Sequence, residues 1–365
     1  MKRFRFMPKL AAAIVSAAMI FSGAVPAFAD DTTTTTHPNG GNLTLDSQIV
    51  KFNTKLTLNV TKSSDAVNIT VPAKTISYTI KNGDADSTNG ILAGVNDDKL
   101  SVSSSVFNSK SVIKNDETTP YVIATSSIDF SKAGFTAAGI YRYKIISQTN
   151  FDPAMEGDFN TTQYIDVVVA NTDGKGYAVK DAAMINNAKT SKSDKFQFTY
   201  KATYLKFTKN IEGNQADVTK RFTFGMTLSD LTQPVTLTYN NVTSTNSTVL
   251  PTTLTPTSGT VSQNFSLTRG SSVTVDNIPY GYSFDINENP DGYTPTVKSN
   301  DINDSELAND HLTKSNINSK IEFTVTNTKG GTVPTGVIFA VAPFAIGAVA
   351  IAAFVILKVR KAAKQ

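Results

Sequence analysis

The sequence predicts an all-β fold of two tandem β-sandwiches, flanked by an N-terminal signal peptide and a C-terminal transmembrane helix. The body of the 365-residue chain consists of short segments rich in Thr, Val, Ile, Tyr and Phe, separated by Asn, Gly, Asp and Ser turns. Long amphipathic helical patterns are missing there, and short alternating segments are typical of sandwiches rather than of parallel sheets. The roughly 300 residues between the two ends fit two domains of about 100–200 residues each.

The alternation is clearest in a set of segments that we predict to be strands: Thr75–Ile80, Ile140–Ile146, Gln163–Val169, Phe196–Tyr200, Tyr204–Lys209, Phe222–Leu228, Ser272–Val275 and Ile321–Val325. Because successive residues of a strand face opposite sides of a sheet, each segment can bury one face. We place the N-terminal sandwich at residues 44–200 and the C-terminal sandwich at residues 201–329.

Residues 1–29 are typical of a secretory signal peptide. A basic stretch, Met1–Lys9, precedes an apolar run, Leu10–Ala24, and a small-x-small cleavage site that ends at Ala29. A permanent N-terminal membrane anchor is the alternative. Residues 30–43 are rich in threonine and of low complexity, which predicts a flexible leader.

The C-terminal end predicts a membrane helix. Val337–Leu357 is an uncharged stretch of 21 residues, long enough to cross a bilayer as a helix of about 20 residues. The basic residues of the tail, 358–365, place that tail in the cytoplasm by the positive-inside rule. A plain single-pass membrane protein is the alternative to the sorting function considered next.

The segment before this helix, residues 330–336, contains Val333-Pro334-Thr335-Gly336. A Pro-Thr-Gly site, an apolar helix and a basic tail in this order resemble a sortase sorting signal of Gram-positive bacteria. The sequence departs from the commonest Leu-Pro-x-Thr-Gly form and is similar to the Val-Pro-Thr-Gly signal of certain backbone pilins. The resemblance implies that a sortase cuts between Thr335 and Gly336 and passes the Thr335 carbonyl to an amine.

Charge and composition narrow the possible functions. The chain has 34 basic and 30 acidic residues, but eight basic residues lie in 1–29 and 358–365, so the remainder has 26 basic and 30 acidic residues. The body is therefore mildly acidic, which argues against nucleic-acid binding. With no cysteine and only His37 and His311, we expect no disulfide, metal site or cofactor. Neither a phosphate loop nor a catalytic triad is recognisable, so an enzyme acting on a diffusible substrate is not expected.

Three segments in the second half each continue an apolar strand face with a polar residue. They are Leu205-x-Phe207-x-Lys209-x-Ile211, Phe284-x-Ile286-x-Glu288 and Phe323-x-Val325-x-Asn327. A lysine at a strand end often turns toward water, so one such pattern alone would carry little meaning. Three different polar residues on apolar faces call for a joint explanation.

These segments resemble the collagen-adhesin B-type domain of Gram-positive pilins, an Ig-like fold. The similarity covers Lys209–Gly213, Ile278–Gly281, Phe284–Glu288 and Thr326-Asn327. The whole chain is similar to two-domain backbone pilins with the streptococcal pilin isopeptide linkage domain. The resemblance implies that Lys209 on the first strand bonds covalently to Asn327 on the last, with Glu288 assisting and ammonia leaving.

The chemistry of such a bond needs these three residue types. An apolar interior lowers the pKa of a lysine until its amine is a nucleophile, and raises the pKa of a glutamic acid that can polarise an amide. An amide is a poor electrophile, so proximity must supply much of the rate, with effective molarities of about 10⁵ M or more. The alternative is a buried Lys–Glu ion pair beside an amide, which is costly to desolvate.

The first half looks like a diverged copy that has lost these residues. Tyr143-x-Ile145-x-Ser147 stands where the glutamate pattern is expected, and Phe196-x-Phe198-x-Tyr200 where the asparagine pattern is expected. On the first strand, Leu56-x-Leu58-x-Val60-x-Lys62 offers a lysine in phase, whereas the register Phe52-x-Thr54-x-Leu56 offers a threonine. We therefore expect no isopeptide bond with Ser147 and Tyr200 at these positions, although another Asn or Asp could substitute.

A polymerising pilin also needs a lysine that attacks the sortase intermediate of the next subunit. In pilins that this chain resembles, it lies shortly before the last strand of the N-terminal domain. Lys189, Lys192 and Lys195 fall there, and Ser191-Lys192 fits best. Three lysines in a polar loop are also what any solvated loop can show.

The sequence thus predicts a secreted, wall-anchored structural protein of a Gram-positive bacterium, most simply the backbone subunit of a sortase-assembled pilus. Its expected partners are sortase, further pilin subunits, peptidoglycan and, before sorting, the membrane. Its only expected catalysis is its own cross-linking. The alternative is a monomeric wall-anchored adhesin that binds a host ligand.

Overall fold

The structure, a computed structural model, describes residues 43–64, 69–116, 119–174, 176–193, 195–240, 252–299 and 311–331. The predicted signal peptide, the sortase cleavage site, the apolar C-terminal stretch and the basic tail lie outside these ranges, as does the predicted leader apart from Leu43. Leu43 itself is buried in the N-terminal core. In the ranges described, no helix is long and apolar enough to cross a membrane.

The described part of the chain is almost entirely β-structure, so the all-β prediction is confirmed. The first-half strands are β1 (Thr44–Asp46), β2 (Ile49–Val60), β3 (Lys74–Ile76), β4 (Tyr78–Asn82), β5 (Ile91–Ala93), β6 (Ser105–Phe107), β7 (Lys114–Asp116), β8 (Thr119–Asp129), β9 (Gly139–Ser147), β10 (Met155–Gly157), β11 (Thr162–Asn171) and β12 (Tyr177–Ile185). The remaining strands are β13 (Lys195–Glu212), β14 (Phe222–Ser229), β15 (Val235–Asn240), β16 (Thr252–Leu254), β17 (Val261–Leu267), β18 (Ser272–Pro279), β19 (Tyr282–Glu288), β20 (Thr294–Ser299), β21 (His311–Ile317) and β22 (Ile321–Thr328). Two 3₁₀ turns, Ser87–Asn89 and Asp97–Lys99, lie on either side of β5.

The described strands form four sheets. The largest sheet runs through both halves in the order β16-β15-β18-β13-β2-β8-β7, with β1, β10, β20 and β22 attached at its sides. In the first half it is accompanied by β12-β11-β9-β4 with β5, and by the pair β3-β6. In the second half the other layer is β17-β14-β19-β21. Each half has its own hydrophobic core.

Strand β13 belongs to both halves. Residues 195–202 pair with β2 in parallel, and Leu205–Glu212 pair with β22 in parallel. The buried positions change phase between these parts: Phe196, Phe198 and Tyr200 are buried in the first, and odd-numbered residues such as Phe207 in the second. A register shift between Thr203 and Leu205 accompanies this change. Because the side-chain period of a strand is two, this shift turns the apolar face toward the second core.

Three of the predicted strands differ from the structure. Phe196–Tyr200 and Tyr204–Lys209 are parts of one strand, β13, and not two strands. Thr75–Ile80 is divided between β3 and β4, which belong to different sheets. The chain changes sheets at Ser77, whose backbone N–H donates to the Gln148 side chain while its carbonyl accepts from the Gln148 N–H. Gln148 therefore satisfies the backbone groups that leave the ladder at that point.

Candidate functional site

The first and last strands of the C-terminal half lie side by side and carry two of the predicted site residues. In the parallel ladder of β13 and β22, Lys209 is opposite Val325 and Ile211 is opposite Asn327. Lys209 and Asn327 are thus diagonal neighbours, two residues out of register, and both point into the core. Their apolar neighbours at alternate positions supply the burial that holds both strands in place.

The third residue reaches the same point from the opposite layer. Glu288 ends β19, where it is paired with Phe224 of β14. Its Oε1 atom lies 2.9 Å from Lys209 Nζ, and the same atom accepts a 2.8 Å hydrogen bond from Asn327 Nδ2. The structure therefore brings Lys209, Glu288 and Asn327 together across the interior of the sandwich.

The cluster is sealed from solvent. The side chains of Lys209 and Glu288 are 0% and 3% exposed, and Asn327 is 0% exposed. The Lys209 ammonium nitrogen lies 4.6 Å from the ring centroid of Phe222 and 5.7 Å from that of Phe224. Such an aromatic wall stabilises a cation only weakly compared with the water that it excludes.

Burial controls the charge of the lysine. Desolvation lowers the pKa of Lys209 from 10.5 to about 8, and the neighbouring Glu288 carboxylate opposes part of this shift. At pH 7 about a tenth of such lysines carry a neutral amine.

The position of Glu288 differs in detail from the expected one. A protonated carboxyl that polarises the Asn327 carbonyl is expected from the sequence, whereas Glu288 Oε1 contacts the amide nitrogen of Asn327. The Asn327 carbonyl oxygen is buried and has no hydrogen-bond partner among the described residues. One carboxylate oxygen of Glu288 thus lies within hydrogen-bonding distance of the side-chain nitrogens of both Lys209 and Asn327.

The fold of this chain is similar to that of known proteins. Solved major pilins of Streptococcus pyogenes superpose with TM-scores of 0.53 and 0.54 at 18% and 22% identity. The matches cover 77% and 78% of this chain and 99% of each pilin. The chain has the fold of the streptococcal major pilins. A family model described as a domain of unknown function, DUF7601, matches residues 203–329, and no curated protein sequence matches the chain.

In the first half of this pilin fold, the counterparts of the cluster have other partners. Ser147 ends β9 and is paired with Tyr78 of β4, as Glu288 is paired with Phe224. Its hydroxyl donates to the backbone carbonyl of Asp158 and accepts from the N–H of Thr161 at 3.0 Å. Tyr200 is fully buried, and its hydroxyl has no hydrogen-bond partner among the described residues. Burial raises the pKa of Tyr200 well above its usual value of 10.

The burial pattern of β2 decides between the two registers that the sequence leaves open for the first strand. Lys62 lies beyond the end of β2 and is exposed, whereas Thr54 is fully buried between Phe52 and Leu56 on the inner face. In the parallel ladder Tyr200 is opposite Leu58. The residue two positions earlier, which corresponds to Lys209 in the second half, is therefore Leu56. No lysine of β2 faces this core.

A cluster of hydroxyl groups, which sequence reasoning missed, lies in the N-terminal core. Thr54 Oγ1 is 2.5 Å from the Tyr78 hydroxyl and 2.7 Å from Ser105 Oγ, which in turn is 2.7 Å from Ser126 Oγ. These neutral groups satisfy one another, and burial raises the pKa of Tyr78 to about 12. The sequence pattern could have indicated two of these buried hydroxyls, because Thr54 and Ser126 each continue an apolar strand face.

A buried ion pair in the outer layer was also missed. Arg142 Nε and Nη2 donate to the two carboxylate oxygens of Asp166, each at 2.7 Å, and both residues are nearly inaccessible. They are directly opposite in the β9–β11 ladder. Glycines make room for the arginine, since a Cβ at Gly83 or Gly94 would lie 2.6 Å from an Arg142 atom. Cross-strand pairing of this kind leaves no local pattern in the sequence.

The three candidate linking lysines have different surroundings. Lys192 is exposed in the turn between β12 and β13, where it forms an isolated bridge with Ile185. The Lys189 ammonium lies 4.7 Å from the centroid of the Tyr164 ring. Lys195 is the first residue of β13 and is only partly exposed. Lys189 and Lys192 are both exposed and outside a strand, whereas Lys195 is neither.

Proposed function

We propose that the chain is a structural subunit of a cell-wall-anchored pilus that sortase polymerises on a Gram-positive bacterium. The observation that carries this proposal is the buried cluster of Lys209, Glu288 and Asn327 in a chain with the major-pilin fold. An amine, a carboxylate and an amide that are closed off from solvent are not a binding site for an external ligand. They suit a reaction of the protein with itself, which would cross-link a structural subunit internally.

The proposed reaction joins Lys209 to Asn327 and releases ammonia. The neutral Nζ attacks Cγ of Asn327, so an Nζ–Cγ bond forms and the Cγ–Nδ2 bond breaks. Glu288 Oε1 can accept the proton from the attacking nitrogen and deliver it to the leaving one, because it lies within 3 Å of both. One amine and one primary amide give one secondary amide and one ammonia, so the balance needs no other reactant.

The bond would tie the first strand of the C-terminal domain to the last. In the proposed subunit, residues 44–200 and 201–329 are two Ig-like sandwiches in tandem, joined through β13. Tension between the start of β13 and the chain beyond β22 would then pass from Lys209 to Asn327 without unfolding the residues between them. Beyond this single reaction on itself, the chain would not be an enzyme.

Assembly of the pilus would join the C-terminal end of one subunit to a lysine of the next. Sortase would cleave between Thr335 and Gly336 of one subunit and transfer the Thr335 carbonyl to Lys192 of the next. Each such contact joins two different surfaces, so subunits add head to tail and form an open fibre when the rotation between them does not close a ring. The last transfer would go to peptidoglycan, and residues 337–357 would hold the precursor in the membrane until then.

Covalent polymers test this proposal directly. Cell-wall extracts of a strain that expresses the chain should give a ladder of multimers that resists sodium dodecyl sulfate. Lys192→Arg keeps the charge but removes the usable amine, so the ladder should collapse to monomers that still reach the wall. Lys180→Arg, on an exposed position of β12, is the matched control and should leave the ladder unchanged.

The outcomes separate three readings. Ladders that survive replacement of Lys189, Lys192 and Lys195 together would move the linking lysine elsewhere while leaving the pilin assignment intact. A parent strain with wall-bound monomers and no ladder would favour the monomeric adhesin. Absence of the chain from the wall would contradict the sorting signal.

A further inference from the structure

The last described residue, Gly331, lies just before the predicted sorting signal and is hydrogen-bonded to the loop that follows β13. The Asn214 side-chain Nδ2 donates to the Gly331 carbonyl at 2.9 Å, and the Gly331 N–H donates back to Asn214 Oδ1 at 2.9 Å. The side-chain amide thus imitates a backbone neighbour and extends the β13–β22 ladder beyond the end of both strands. We call this two-way contact between Asn214 and Gly331 the amide clip.

The backbone around the clip is shaped to fit. Lys329 N–H donates to the Glu212 carbonyl at 3.0 Å, and the Lys329 carbonyl accepts from Gln215 N–H at 3.1 Å. Gly213 has a φ of 111°, and a Cβ there would lie 2.2 Å from the Lys329 carbonyl oxygen, so only glycine lets the two chains approach. A Cβ on Gly331 would likewise meet the Gln215 side chain at 2.0 Å.

The loop that carries Asn214 is itself anchored. The Asp217 N–H donates to the Tyr293 hydroxyl at 2.9 Å, and the Lys329 ammonium lies 5.2 Å from the Tyr293 ring centroid. Tyr293 is buried in the C-terminal core. The clip therefore connects the departing chain to a fixed part of the domain and not to a free loop.

We propose that Asn214 is a positioning residue for sortase transfer, because its side-chain amide fixes Gly331 and so fixes the point at which the sorting signal leaves the domain. The inference rests on the proposed function. Thr335 is four residues beyond Gly331, so its reach from that anchor is at most about 14 Å. Without the clip the nearest anchor is Lys329, six residues before Thr335, and the reach grows to about 21 Å.

The expected effect lies in binding rather than in chemistry. A signal that starts from a fixed point loses less conformational freedom when it enters an enzyme groove, so the clip should lower KM and leave kcat unchanged. Asn214 is exposed and water competes for its hydrogen bonds, so the effect should be modest. We expect Asn214→Ala to raise KM about three- to tenfold at constant kcat.

The test uses the full-length chain in detergent, a purified pilin-type sortase and hydroxylamine as the amine acceptor. Release of the tail from Gly336 onward gives kcat and KM, while hydrogen exchange of the Gly331 amide reports the clip without any sortase. Asn214→Asp keeps the acceptor for Gly331 N–H but loses the donor, so it should be intermediate in both measurements. Asn210→Ala is the control, since the Asn210 amide donates to the Glu212 side chain and does not contact Gly331.

A glycine pair provides an independent check. Gly213→Ala should disturb the clip, because its Cβ would lie 2.2 Å from the Lys329 carbonyl oxygen, whereas Gly330→Ala should not, because a Cβ at Gly330 meets nothing within 4 Å. An unprotected Gly331 amide in the parent, or an Asn214→Ala variant with parental KM, overturns the inference and leaves the pilin proposal standing. If the parent chain is not a sortase substrate while Gly331 is protected, the proposed function and the positioning role both fail, and only the clip remains.

Discussion

The two halves of the molecule use the same strand arrangement around different core chemistry. In the C-terminal half, Lys209, Glu288 and Asn327 meet where the first strand, the last strand and the facing layer converge. The corresponding residues in the N-terminal half are Leu56, Ser147 and Tyr200. All three differ: the Tyr200 hydroxyl has no hydrogen-bond partner among the described residues, and the Lys74 ammonium, which pairs with Asp152, lies 5.6 Å from the Tyr200 ring centroid. An isolated buried lysine, acid or amide is costly, so a core either keeps the complete set or loses it.

The difference between the two halves predicts one cross-link per subunit. Each cross-link lowers the mass of the chain by one ammonia. The recombinant segment from Asp30 to Thr335 should be lighter than calculated by one ammonia, about 17 Da, because among the described residues only the C-terminal half has a buried amine and amide held together by an acid. Intact-mass spectrometry measures the deficit. Glu288→Ala should restore the full mass, since no group would then carry the proton to the leaving nitrogen.

Glu156→Ala is the matched control for that measurement. Glu156 is an exposed glutamate of β10 that pairs with Lys201, so its loss should leave the deficit at one ammonia. A deficit of two ammonias would show a second bond and contradict the reading of the N-terminal half. A parent with its full calculated mass would contradict the cross-link itself.

The next largest effect is on the stability of the C-terminal half. Lys209 and Asn327 enclose a loop of about 120 residues, for which the chain-entropy model of a cross-link gives about 4–5 kcal/mol. Lys209→Met removes the amine but keeps an apolar side chain of similar length, so it separates the bond from the packing. We expect this variant to melt well below the parent, with proteolysis beginning in residues 210–326.

The first half provides the internal reference for that experiment. Its proteolysis should start no earlier than in the parent, since Leu56, Ser147 and Tyr200 form no bond that could be lost. Lys298→Ala, an exposed lysine on β20, should leave melting within about 0.5 kcal/mol of the parent. Equal melting of Lys209→Met and the parent would mean that the bond is absent or carries no stability.

A pH dependence distinguishes a free Lys209 from a bonded one. In Asn327→Ala the lysine remains an amine whose pKa is about 8 in the folded state, from the burial already described, and about 10.5 when unfolded. Between these values the unfolded chain binds more protons, so stability rises as pH increases from about 8 to 10.5 and is lost as pH falls through 8. The full span corresponds to about 3 kcal/mol.

The parent should lack this rise, because an amide nitrogen does not titrate in that range. Chemical denaturation at pH 7.5, 9 and 10.5 compares the two proteins directly. The same upward trend in the parent would indicate that Lys209 is still a free amine in the folded chain.

The residues of the C-terminal cluster could be predicted from the sequence. Contacts that depend on which strands are neighbours could not. The alternation around Lys209, Glu288 and Asn327 showed that each shares an apolar face, which is a local property. That the three faces meet came from resemblance, because strand neighbours and register are set by contacts far apart in sequence. The pairing of Arg142 with Asp166 is invisible for the same reason.

The N-terminal half shows how register limits such predictions. Two phases of β2 were equally consistent with the sequence, one giving Lys62 and the other Thr54, and only burial separates them. The break at Ser77 is a second example, since the alternation continues through it while the chain changes sheets. The phase change within β13 was present in the sequence as Phe196–Tyr200 followed by Leu205–Ile211, but a single strand serving two cores has no local signature.

The smallest predicted effect tests whether Tyr200 still has a role at the position expected for asparagine. Its hydroxyl is buried without a hydrogen bond among the described residues, so Tyr200→Phe removes a desolvated polar group and keeps the ring. We expect a change in stability within about 1 kcal/mol, neutral or favourable. Thr54→Val is the matched contrast: it removes a hydroxyl that bonds both Tyr78 and Ser105, and it should cost about 1–3 kcal/mol. Denaturant melts of the two variants compare them directly, and a loss of several kcal/mol for Tyr200→Phe would mean that this hydroxyl has a partner and that the N-terminal core retains a polar site of its own.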